Sequence, residues 1–173
     1  MTNLETIKAL TQRIEALESE IAVRACMNRY MLLCDQLDVG FPLDDLMVLF
    51  TEDATWEGTG GRYKKTFGRH EGQDAIRAMF GKYTAPPAHF RLNVHYLTSE
   101  LIAVDGAAAQ GSWVLLQPST FSSGTSQLSS ARLTVAFRKD GDVWRISSFQ
   151  TDALFSRPFN EPWDSSAELP VPE

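Results

Sequence analysis

Two residues far apart in this chain are of the types that take a proton from carbon unaided. Asp35 closes the run R-Y-M-L-L-C-D, and His95 sits in N-V-H-Y-L-T-S-E-L-I-A-V-D-G. An imidazole has an unperturbed pKa of about 6.5, so its neutral form is a competent general base at cellular pH. A carboxylate against one ring nitrogen orients it, selects its tautomer and stabilises the imidazolium that forms. Asp35 is anomalous where it stands, because it follows Tyr30-Met31-Leu32-Leu33-Cys34. A carboxylate in so apolar a setting needs a partner or must protonate. Blander readings compete: a half-buried strand histidine bonded to backbone, and an aspartate near a fraying helix end or capping the next turn. Asp38, three residues on, competes for the same role.

Tyr30 is a candidate third member, donating to a substrate carbonyl or a leaving hydroxyl. It lies five residues before Asp35, roughly 140° around an ideal helix. The two converge only if the tyrosine reaches round or the helix distorts, and a core tyrosine with a bonded hydroxyl is the alternative. Trp56, Phe67, Trp113 and Phe149, with Tyr96, are candidate walls of a substrate pocket suited to a planar or polycyclic ligand. Strand aromatics are otherwise core. His70, Glu71 and His89 show no H-x-x-x-H or H-E-x-x-H spacing, so no metal is expected, and His70 reads as a loop residue near a cavity rim. There is no nucleophile elbow, P-loop or dinucleotide fingerprint, so the expected cofactor list is empty.

These residues need elements to hold them. Leu4, Ile7, Leu10, Ile14, Leu17 and Ile21 recur every three or four residues, which predicts a helix over 4–38 capped by Thr2 or Asn3. Over 4–21 the stripe is as narrow as a coiled-coil seam. From Ala22 to Leu37 the apolar content broadens, which predicts burial. A short helix is expected at 43–50, a strand at 52–58, a turn and hairpin in G-T-G-G-R-Y-K-K-T-F-G, and a helix at 73–82. Strands are then expected near 89–104, 107–118, 128–139 and 142–151, joined by turns at Asp105-Gly106 and Lys139–Asp142. On the third of these, Arg132 and Arg138 share the face opposite Leu133, Val135 and Phe137. Helices first and an antiparallel meander last define an α+β domain, a cone-shaped curved sheet wrapped around N-terminal helices. We expect one domain over 1–157 and a tail over 158–173 that Phe159 and Trp163 could pin.

Composition narrows the partners. The 173 residues fit one domain, and 43% hydrophobic content suffices for a core. A net charge of −6, with no basic cluster beyond Lys64-Lys65, argues against nucleic acid. No apolar run approaches the ~20 residues of a membrane span, and the N-terminus lacks a hydrophobic signal core, so a cytoplasmic protein is expected. Cys26 and Cys34 lie eight apart on one helix, roughly 12 Å along its axis, which is too far for a disulfide.

Five segments in this order resemble the SnoaL-like branch of the nuclear-transport-factor-2-like superfamily. They are R-Y-M-L-L-C-D-Q-L-D, L-F-T-E-D-A-T-W, G-R-H-E-G-Q-D-A-I-R-A-M-F, V-H-Y-L-T-S-E-L-I-A-V-D-G and F-R-K-D-G-D-V-W-R-I. The branch includes scytalone dehydratase, bile-acid dehydratase and hexachlorocyclohexane dehydrochlorinase. The resemblance implies a cone-like α+β barrel, with Asp35 and His95 on the positions of the carboxylate–histidine pair and Tyr30 on a polar position. Phe149 departs from the dehydrochlorinase, which has an arginine there, and that argues against chloride elimination.

The expectation is therefore a cofactor-independent lyase or isomerase, dehydratase-like, acting on a small hydrophobic cyclic molecule. His95 would be the base, Asp35 its support and Tyr30 the hydrogen-bond donor. Two alternatives stand beside it. One is a non-catalytic ligand-binding or structural subunit, like the small subunit of a ring-hydroxylating dioxygenase. The other is a polyketide cyclase, which needs a longer, open cleft. A homo-oligomer, trimer or dimer, is implied by the resemblance.

Overall fold

The computed structural model describes residues 2–165. Helix α1 runs over Asn3–Asp35. Thr2 caps it, and with Glu5 it closes a reciprocal capping box. The second half of α1 buries Val23, Met27, Tyr30, Leu33 and Cys34, whereas the stripe over 4–21 is exposed. Cys26 and Cys34 are unlinked and buried. The short helix α2 covers Leu43–Met47, β1 Phe50–Thr59, α3 Gly60–Thr66, β2 Arg69–Glu71 and α4 Gln73–Gly81. Then come β3 (Phe90–Asn93), β4 (Tyr96–Asp105), β5 (Ala108–Phe121), β6 (Ser126–Asp140) and β7 (Val143–Phe159).

The architecture is α+β: a curled, mixed half-barrel sheet wrapped around the N-terminal helices. Strand order is β2-β1-β7-β6-β5, and β3 and β4 lie end to end along the outer edge of β5. Only β1 and β7 run parallel; the other pairings are antiparallel. Strict alternation on β6 sends Leu133, Val135 and Phe137 inward, against Met27, Leu46, Phe50 and Ile146 in one core. Arg132 and Arg138 lie on the outer face, where Arg138 pairs with Asp53.

Three departures from the sequence reading matter. The segment after β1 does return as a β1–β2 antiparallel pair, but its link is the helix α3 and not a tight turn. Gly60, at φ +68°, turns the chain out of the strand, and Arg62-Tyr63-Lys64-Lys65 then propagate a helix. The strand expected over 89–104 is two strands, broken at Val94-His95. Here the C=O of Pro118 on β5 accepts from the N–H of Val94 at 3.2 Å. In an antiparallel ladder a residue's N–H and C=O face the same neighbour, so the missing N–H of Pro118 falls where the ladder breaks. Finally, β7 continues past residue 157 to Phe159. Trp163 is held by its N–H on Thr120 Oγ1 (3.0 Å) and by its ring against Phe159 (4.4 Å). The rest of the expected tail, 166–173, lies outside the described residues.

Candidate functional site

The broken edge strand positions the site. His95 does not pair with β5 through its backbone; its N–H donates to Asp35 Oδ1 at 2.9 Å. Its ring Nδ1 lies 2.5 Å from the same oxygen. One carboxylate oxygen from the last residue of α1 thus holds both the backbone and the ring of His95, which fixes where the imidazole points. The side chains are 12% and 24% exposed for His95 and Asp35, so the pair is shielded but not sealed. Asp38 does not share the role: it is exposed, and its Oδ1 accepts the N–H of Val39 at 2.7 Å.

His95 lines a cavity of about 150 Å³ between α1, α4 and the concave face of the sheet. Its walls are largely aromatic. Trp56 stacks on Phe149 (5.6 Å between centroids, 6° between planes), and Phe67 meets Trp56 edge-on at 5.6 Å. Met31, Phe80 and Leu133 extend the apolar surface. Of the walls expected from sequence, Trp56, Phe67 and Phe149 line this cavity.

Trp113 does not, and this corrects the sequence reading. It points to the same face of β5 as Leu115 and Gln117, which do line the cavity, but sits nearer the β4–β5 turn. There it is 2% exposed, lies edge-on to Phe137 at 6.3 Å, and donates from Nε1 to Glu100 Oε2 at 3.1 Å. The other oxygen of Glu100 accepts from Arg24 on α1 at 2.6 Å. Trp113 is therefore core beneath the helix. Tyr96 is likewise no wall; it is exposed on the sheet edge.

Tyr30 lines the cavity at 3% exposure, but its hydroxyl is already engaged. It accepts from Trp56 Nε1 at 2.9 Å. Burial pushes the phenol well above its ordinary range, so it stays protonated. Accepting that bond leaves the phenolic O–H able to donate, and as built Tyr30 fixes the indole of Trp56. The angular problem between Tyr30 and Asp35 also resolves. Tyr30 and Cys34 line the cavity, whereas Asp35 does not line it and acts there through His95.

Sequence reasoning missed the polar side of the cavity. Asn93, the last residue of β3, is buried, and its Oδ1 accepts from Gln117 Nε2 (2.7 Å) and Ser119 Oγ (2.8 Å). Asn93 and Gln117 line the cavity, as do Thr151, Tyr63 and Tyr83. Asn93 stands two residues before His95, and Pro118 lies between Gln117 and Ser119; that proline was the available signal. His70 sits in β2, with Nε2 donating to the Phe67 carbonyl at 2.9 Å, and His89 packs on Phe90 and Tyr83. Among the described residues no three His, Cys, Asp or Glu side chains cluster as metal ligands. No described helix is long and apolar enough to cross a membrane.

The family model for the SnoaL-like domain matches residues 15–150. No curated protein matches the sequence. Among solved structures, the chain resembles a Novosphingobium aromaticivorans protein assigned as an aromatic ring hydroxylase (TM-score 0.71, 20% identity, 83% of this chain and 94% of that one). It also resembles hexachlorocyclohexane dehydrochlorinase LinA type 2 (TM-score 0.71, 17% identity, 92% and 98%). A third is a protein assigned as a scytalone dehydratase, also from N. aromaticivorans (TM-score 0.69, 15% identity, 87% and 97%). At these identities the likeness is one of fold.

Proposed function

The chain belongs to the SnoaL-like domain family, and from that premise we propose that it is a cofactor-independent lyase of the dehydratase type. The observation that carries this is the 2.5 Å approach of Asp35 Oδ1 to Nδ1 of an imidazole lining an apolar cavity. With Nδ1–H donating to the carboxylate, Nε2 is left as the base. It removes a proton from a carbon next to a carbonyl or activated ring. As the carbon–carbon double bond forms, the bond to a β-hydroxyl breaks, and the imidazolium returns the proton to the departing oxygen, so that water leaves. Return of the proton to another carbon instead gives an isomerase. Little water competes in so apolar a cavity, and charge interactions there are strengthened.

Size restricts the ligand. A cavity of about 150 Å³ is the volume at which an apolar protein cavity takes up benzene. That favours a monocyclic substrate over the polycyclic one expected from the aromatic content, and it does not suit the long cleft of a polyketide cyclase. Asn93 and Gln117 offer the ligand its polar contacts opposite the Trp56–Phe149 wall.

The test is turnover of a panel of monocyclic β-hydroxy ketones, followed by enone absorbance and by solvent deuterium entering the α-carbon. Activity that His95→Gln abolishes supports the reading. Wild-type rates retained in His95→Gln sink it. Tight binding of the panel without turnover or exchange would favour the second reading, a small-ligand-binding module.

A further inference from the structure

The stripe on the first half of α1 is unused by its own domain. Ile7, Leu10, Ile14, Leu17 and Ile21 are 51–61% exposed. Their spacing alternates 3, 4, 3, 4, a heptad seam with isoleucine at every a position and leucine at every d. The same helix turns Gln12, Glu15, Ala16, Ser19 and Ala22 toward its own body, with Glu18 between them and the seam, across a groove shared with Val104 and Trp144. Those residues lie opposite the seam, so the seam points away from the domain. A lone apolar stripe about 21 Å long is not the surface of a monomer.

We propose that residues 4–21 form a parallel two-stranded coiled coil with a second copy of this chain. Three features select that occupant. Isoleucine at a with leucine at d favours two parallel strands. In that register Arg13, at g, meets Glu18, at e of the following heptad in the second copy, so two opposite-charge pairs flank the seam. The domain lies on the face of α1 away from the seam, so two bodies project outward without colliding. The seam stops where α1 enters its domain: the next d and a positions are Arg24, bonded to Glu20 and Glu100, and the exposed Asn28.

Cysteine cross-linking and mass measurement of the full chain test this, and Cys26 and Cys34 are buried and do not compete. Leu17→Cys, at d, should form an intermolecular disulfide, whereas Lys8→Cys, on the outer face, should not. Ile14→Asp should weaken association at least a hundredfold and halve the mass at micromolar concentration, with the circular dichroism of the domain retained. Arg13→Glu should weaken it roughly tenfold, with Arg13→Glu/Glu18→Arg restoring it. A monomeric wild-type chain overturns the proposal. So does an oligomer whose mass is unchanged by Ile14→Asp, or one in which Leu17→Cys stays reduced. Failure of the double exchange to restore affinity overturns the parallel register.

Discussion

Asp35 Oδ1 accepts from both nitrogens that His95 turns toward it, the backbone N–H at 2.9 Å and ring Nδ1 at 2.5 Å. A single oxygen therefore sets both the strand break and the ring orientation. Asp35→Asn keeps the shape but offers an amide that can present either N–H₂ or C=O, so the tautomer is no longer enforced. We expect kcat/KM to fall about 10²–10⁴-fold with KM little changed. Asp38→Asn should be neutral, because Asp38 serves only the turn at Val39. Comparable losses in both variants would show that the carboxylate acts through net charge and not through contact.

A second expectation concerns the wall. Trp56 Nε1–H has the Tyr30 hydroxyl as its partner at 2.9 Å. Tyr30→Phe leaves that buried donor unpaired, at a cost of about 1–3 kcal/mol in a urea titration. Trp56→Phe removes the donor itself, so the double variant lacks both partners and should recover part of the loss seen in Tyr30→Phe. If Tyr30 instead served the substrate directly, Tyr30→Phe would lower kcat while leaving the denaturation midpoint in place.

Much of this site was legible because residue type and setting disagreed. A carboxylate after five mostly apolar helical residues demands a partner, and His95 supplies it. The face of Trp113 was legible too, since Trp113, Leu115 and Gln117 alternate together; its depth along β5 was not. That depth is set by Glu100, which reaches it from a neighbouring strand at a bulge where Ser99 takes φ +53°. The β3–β4 break was hidden for a similar reason. A side chain 60 residues away takes the His95 N–H, and strand propensity carries no record of that. Asn93 was missed because its role depends on cross-strand contact with Gln117 and Ser119.

The thiols give a pH prediction. Burial pushes Cys26 up to about 11 and Cys34 up to about 12, against 9.0 for an ordinary cysteine. Both are acids whose neutral form the fold favours. Their contribution to stability is therefore complete below about pH 9 and is lost progressively as pH rises from 9 toward 11–12. The native chain should resist iodoacetamide at pH 8 and label fully in urea. The urea midpoint should fall between pH 9 and pH 11, and less steeply in Cys34→Ala when each chain is compared with its own value at pH 8. Rapid native labelling at pH 8 would contradict the burial.

The reassignment of Trp113 makes the last prediction. Gly111 and Trp113 lie on one face of β5, and a Cβ added at Gly111 would overlap the Trp113 ring. The ring cannot yield easily, since it is held by Glu100, packs against Phe137 and is 2% exposed. Gly111→Ala should therefore destabilise the fold by about 1–3 kcal/mol through overpacking, despite the higher strand propensity of alanine. Because Trp113 stands outside the cavity, ligand affinity at a temperature well below unfolding should be unchanged. Denaturant titration read by tryptophan fluorescence, with calorimetry of a cavity ligand, separates the two effects. A weakened ligand on an otherwise stable protein would return Trp113 to the pocket wall.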